Sequence, residues 1–119
     1  MAVAESRDIE SDLIPKIATG FCSGMARTGG LCGALSGAIM SLGLVSGRSE
    51  PDTPVDHHYA RVQKLIQHFE DKFGSINCQQ LTGCHLGTPE GQIRFQTTGQ
   101  QAKCSEYVEE ATRMVLRLI

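Results

Sequence analysis

Apolar residues recur most regularly between positions 55 and 73. Val55, Tyr59, Val62, Ile66, Phe69 and Phe73 step alternately by four and three, the spacing of an amphipathic helix with one face turned inward. Thr53, followed by Pro54 and Asp56, reads as its cap, and Gly74 as its stop. The same period returns from 103 to 118, where Tyr107, Val108, Ala111, Met114, Val115 and Leu118 fall on one side. Near the front, Ser11 or Asp12 caps a short helix through Ala18. Pro15 lies in its first turn, and Leu13, Ile14 and Ile17 form its apolar stripe. Gly20 ends that helix, a loop follows over 21–24, and residues 2–8 read as one further helical end.

The pattern changes between Arg27 and Arg48, where no side chain is charged. Residues 31–45 predict a helix that is apolar nearly all round. Leu35, Ile39 and Leu42 share one side; Gly33, Gly37 and Ser41 share the other. The first side fills a core, and the small residues admit a neighbouring backbone. A membrane span is the competing reading. The helical part reaches only about 22 Å at 1.5 Å per residue, against roughly 30 Å of hydrocarbon. It therefore reads as a buried helix, with no membrane as partner.

Residues 77–81 predict a helical turn or two closed by Gly83. Residues 83–102, with glycines at 87, 91 and 99, read as a long loop. The run 92–97 alternates briefly, but a single strand has nothing to pair with. The expected class is all-α: one domain over 1–119, a compact bundle of about five helices around the Gly-rich central one.

Composition narrows the function. The net charge is −2, there is no Trp, and aromatics make up 5% of the chain. Neither a basic footprint nor a stacking surface for nucleic acid is present. The start, MAVAESRDIESD, lacks the apolar run of a signal peptide. Five cysteines then belong in a reducing cytoplasm, where clustered thiols serve redox exchange, metal binding or catalysis more often than permanent cross-linking. The odd number leaves at least one free or shared with a second chain.

Cys32, Cys78 and Cys104 share a predicted placement, the first turn of a helix. Backbone N–H groups there stabilise a thiolate and lower its pKa. Arg27 adds positive charge near Cys32, and Gly33 leaves room beside its sulfur. These three are the candidate reactive thiols, with Cys22, Cys84, Gly33, Gly37 and Arg27 in support. A metal or iron–sulfur cluster is the alternative, held by Cys32, Cys78, Cys84 and Cys104, but no C-x-x-C pair supports it. Cys78 and Cys84 are five residues apart in the gap between them, with His85 next to Cys84. Covalent haem is excluded, because its first cysteine would fall at Leu81. A third reading makes the chain a helical interaction protein whose cysteines only pack. His57, His58 and His68 read as exposed helix-face residues. Glu109 and Glu110 with Arg113 and Arg117 read as a solvated face. No nucleophilic triad or phosphate loop is visible, since Gly29-Gly30 has neither a strand before it nor a Lys-Ser/Thr after it.

The run Cys32-Gly33-Ala34-Leu35-Ser36-Gly37 fits CGAxxG. With IATGF at 17–21, the turn from Gly24 to Arg27, Met40 to Gly43, FEDKFGSINCQQL at 69–81 and the block Cys104 to Val108, it resembles the C_GCAxxG_C_C family of small proteins described as redox-active. The resemblance implies an all-helical fold, a redox or metal role, and Cys32, Cys78 and Cys104 as family cysteines. The family's first cysteine lies upstream of the block matching 13–21, yet no Cys precedes Cys22 here. Met1 to Glu5 resembles the inside of that earlier helix. The implied expectation is a chain that starts at an internal Met, without one half-helix and its cysteine, and a homodimer covering the apolar surface so exposed.

Overall fold

Leu35 and Leu42, on the uncharged helix, are fully buried together with Leu65 and Phe69 from the long helix and Val115 from the last one. A computed structural model describes residues 1–119 and gives seven right-handed α-helices. These are α1 (Ala2–Ser6), α2 (Leu13–Ala18), α3 (Gly33–Ser46), α4 (Asp56–Phe73), α5 (Cys78–Thr82), α6 (Pro89–Thr97) and α7 (Gln100–Leu118). The core lies where α3, α4 and α7 pack pairwise on one another, and α1 closes one side with Val3 and Ala4 buried. No strand forms; Leu31 and Asn77 make one isolated antiparallel bridge. No helix is long and apolar enough to cross a membrane.

The all-α class is as expected, but seven helices replace about five. The largest change is in the expected loop at 83–102, where α6 forms. Thr88 Oγ1 accepts from the Gly91 N–H at 3.0 Å, and Pro89 takes the first helical position. Gly91 is buried, and a Cβ there would overlap the His85 carbonyl. The last helix also starts earlier, at Gln100, which moves Cys104 out of the first turn into the second.

The long helix begins at Asp56, not at the expected Thr53 cap, with no side-chain cap at Val55. The Arg48 guanidinium donates to the carbonyls of Pro51 (2.6 Å) and Thr53 (3.5 Å) and holds 48–53 as a separate turn. The buried face of α4 is carried by Leu65 and Phe69, whereas Tyr59, expected inward, is 53% exposed. The α2 stripe is also not covered: Leu13 and Ile17 are 59% and 63% exposed. Of the histidines, His57 and His68 are exposed, but half-buried His58 hydrogen-bonds Ser46 Oγ through Nδ1 at 2.8 Å. Glu110, expected in solvent, is buried. Lys72 Nζ and Arg113 Nη1 each lie 3.3 Å from its carboxylate. The hydrogen bond from Lys72, then the Arg113 guanidinium, holds that carboxyl below the usual range.

Candidate functional site

Between the 3₁₀ turn Thr19–Phe21 and α3 the backbone turns left-handed. Ser23 through Arg27 have φ between 55° and 68°. Four of these five residues carry a Cβ, and each is disfavoured there by about 1–2 kcal/mol. The turn persists because its neighbours hold it. Gly30 N donates to Gly24 O at 2.9 Å, and Thr28 Oγ1 lies 3.2 Å from Gly24 O and 2.8 Å from Met25 O. Strain of this kind collects where surroundings over-determine the backbone, often at functional sites.

Two glycines press this turn onto the cysteine-bearing elements. A Cβ on Gly24 would overlap Cys78 Cβ and stand 3.0 Å from its Sγ. A Cβ on Gly33 would stand 3.4 Å from Phe21 O and 3.5 Å from Cys22 Cα. Residue 22 is thus seated on the residue next to Cys32. Cys32 N donates to Ile76 O (2.8 Å) and Cys78 N to Gly30 O (2.7 Å), tying the start of α3 to the start of α5. Asn77 caps α5 with its side-chain oxygen, accepting from Gln79 N and Gln80 N.

Together these elements and α7 enclose a cavity of about 450 Å³ lined by Cys22, Cys32, Cys78 and Cys104. Cys32 and Cys78 are buried, Cys104 is half-buried and Cys22 is exposed; all are free thiols. Leu81 and Leu86, Phe95 from α6, and Tyr107 and Val108 from α7 supply apolar wall. None of the lining residues is charged. Tyr107 is braced by Phe69 and Phe73, and its hydroxyl donates to Leu81 O at 3.3 Å.

The other candidates fall elsewhere. Cys84 is buried outside the cavity wall, its N–H on Thr82 Oγ1 and its thiol on Thr82 O. Arg27 is exposed and does not line the cavity; it lines a separate small pocket with Leu86, Gln92 and Phe95. Gly37 faces open space, with nothing within 4 Å of an added Cβ. As the side chains stand, no three Cys, His, Asp or Glu residues are placed to hold a metal ion. Gly24, Leu86, Phe95, Tyr107 and Val108 were not among the sequence candidates. Gly24, Tyr107 and Val108 carried a signal, since they lie in the blocks 24–27 and 104–108 that resemble the family.

The electrostatics run against the expected low pKa at two of the thiols. Burial pushes Cys78 up from the ordinary thiol value, and charge on Cys32 would push it further. Cys104 rises for the same reasons, first burial, then Cys32, Cys78 and Cys84. Burial followed by Cys104 and Cys32 raises the Tyr107 hydroxyl as well. A helix start does not offset burial beside other sulfurs.

This mutual effect has a consequence for stability. A thiol with a raised folded pKa loses its proton later in the folded chain than in the unfolded one. Its contribution is complete below the unfolded value, about 8.5, and is lost as pH rises from there through the folded value. Urea midpoints measured anaerobically with reductant should therefore fall between pH 8 and pH 10. The fall should shrink in a Cys78→Ala/Cys104→Ala double variant; an equal fall in that variant would assign the effect to other groups.

A protein from Archaeoglobus fulgidus, described as "Uncharacterized protein", is 26% identical over 125 residues, covering 98% of this chain and 78% of that one. No solved structure matches. The family model described as "Putative redox-active protein (C_GCAxxG_C_C)" matches residues 1–118, which include every cysteine around the cavity. The chain belongs to the C_GCAxxG_C_C family.

Proposed function

We propose that the chain is a thiol–disulfide redox protein of a reducing, cytoplasmic compartment, and that Cys32 forms its working disulfide with Cys78 or Cys104. The observation that carries this reading is the convergence of these three sulfurs on one cavity, each within electrostatic reach of another. Oxidation removes two electrons and two protons from two thiols. It also relieves the cost of ionising one buried thiol beside another, because a disulfide carries no charge. A metal module would use the same sulfurs, but it would require the side chains to regroup, since no three ligating residues are placed to hold one ion.

The test is a redox titration of anaerobic protein in glutathione buffers spanning roughly −320 to −180 mV, with peptide mapping by mass spectrometry. One reversible disulfide involving Cys32 should form. It should vanish in Cys32→Ser and survive in Cys84→Ser. Absence of any disulfide across the range would sink the reading. A stoichiometric metal, found by elemental analysis of the same preparation, would transfer the sulfurs to metal binding.

A further inference from the structure

The cavity is built to choose its substrate by charge. Cys22, Ser23 and Gln101 stand exposed at its rim, and Val108 beside them is 53% exposed, so it communicates with solvent. At about 450 Å³ it has the size of a small-molecule site. Its interior offers thiols, the hydroxyls of Tyr107 and Thr82, and hydrocarbon. No Lys, Arg, His, Asp or Glu side chain lines it. The nearby cation, Arg27, does not line it and instead lines a separate small pocket with Leu86 and Phe95. An anion or cation entering here would lose water and find no counter-ion, a penalty that an uncharged molecule escapes. Rejection of the wrong partner by unpaired charge is an effective source of specificity.

We propose that the substrate of this cavity is a small, uncharged organic disulfide. The proposal rests on the thiol–disulfide reading of the same site and adds the class of molecule that site accepts. In the reaction, a cavity thiolate attacks one sulfur of R–S–S–R. The S–S bond breaks, a protein–S–S–R bond forms, and the departing R–S⁻ takes up the proton released by the attacking thiol. A second cavity thiol, deprotonated in turn, attacks the protein sulfur of this mixed disulfide and expels the other R–S⁻, which takes the second proton. Two cysteine thiols are oxidised to one disulfide, and R–S–S–R is reduced to two R–SH. Every stable species bound in the cavity is neutral; the attacking thiolate and the departing R–S⁻ are the only anions, and each is transient.

Three disulfides of similar size separate the charge effect from reactivity. These are bis(2-hydroxyethyl) disulfide (neutral), 3,3′-dithiodipropionate (anionic) and cystamine (cationic). The rate of Cys32 disulfide formation with each is measured under anaerobic conditions and divided by that reagent's rate with an unstructured cysteine peptide. The neutral reagent should be favoured by about tenfold over both charged ones, the equivalent of one pKa unit of differential interaction. Using both signs cancels the influence of the chain's net charge. A preference below threefold over either charged reagent overturns the proposal while leaving the redox reading intact. Failure of all three to oxidise the wild-type thiols would instead remove the redox reading.

Charge placed at the rim gives a second readout. Val108→Glu should shift the normalised preference toward cystamine, and Val108→Lys toward dithiodipropionate, each by several-fold. Because Val108 is largely exposed, both variants should keep the wild-type circular dichroism. Identical preferences in the two folded variants would show that reagents do not pass this wall, and would likewise overturn the proposal.

Discussion

Gly24→Ala should lower stability by about 2–4 kcal/mol and open Cys78 to thiol reagents. Two costs combine. Alanine at φ +66° occupies the left-handed region, about 1 kcal/mol or more above glycine. Its methyl would also meet Cys78 Cβ, and forced overpacking costs about 1–3 kcal/mol more. Cys78 has little freedom to retreat, because its N–H is bonded to Gly30 O and the neighbouring Ile76 O receives Cys32 N. Gly37→Ala is the matched control. It lies inside α3 with open space around it, so the helix should gain about 0.5–1 kcal/mol. Urea unfolding and the labelling rate of Cys78, read by mass spectrometry, check both variants. Wild-type stability in Gly24→Ala would mean that the turn is not pressed against Cys78.

Phe69→Ala should be the most damaging core change, costing about 3–5 kcal/mol. That is a large part of the 5–15 kcal/mol typical of a domain. Phe69 is fully buried and meets Phe73 at 4.9 Å and Tyr107 at 6.0 Å between ring centroids. The same deletion withdraws support from Tyr107, part of the thiol cavity, so redox exchange should lose selectivity as well as the fold losing stability. Tyr59→Ala, on the exposed first turn of α4, should change stability by no more than about 0.5 kcal/mol. A similar loss in both variants would contradict the placement of the core.

Much of this architecture was readable from apolar spacing. Leu35 and Leu42 on α3, Phe69 on α4, and Ala111, Met114 and Val115 on α7 are buried as the period predicts. Leu65 escaped because a stripe drawn through Tyr59 and Ile66 sits slightly around the helix from the true face through Leu65 and Phe69. The two Thr-Pro pairs show what local signals omit. Thr88-Pro89 caps a helix, because Thr88 Oγ1 bonds Gly91 N while also donating to His85 O. Thr53-Pro54 does not, because Arg48 takes the Thr53 carbonyl into a different turn. Neither outcome follows from the pair itself.

The site was readable as a set of residue types, less so as an environment. Cys32, Cys78 and Cys104 were identifiable from their motif and helix-start setting, and they do face one cavity. The sign of the effect on Cys78 and Cys104 was not. Burial and neighbouring sulfurs are long-range facts; at Cys78 they outweigh the local benefit of a helix start, and at Cys104, in the second turn, they act without one. The left-handed turn was equally hidden. Ser23, Met25, Ala26 and Arg27 are ordinary residues for a right-handed helix, and only the packing of Gly24 on Cys78 and Gly33 on Cys22 explains why the chain goes the other way.

The wall contributed by α7 also sets an order of events during synthesis. Cys104, Tyr107 and Val108 all belong to this last helix. Until it emerges and docks, Cys32 and Cys78 have no roof, and any oxidant, charged or neutral, can reach them. Selectivity for what the thiols meet is therefore acquired only once α7 has been made and has docked. Before that moment, protection of these sulfurs depends on the reducing capacity of the surroundings.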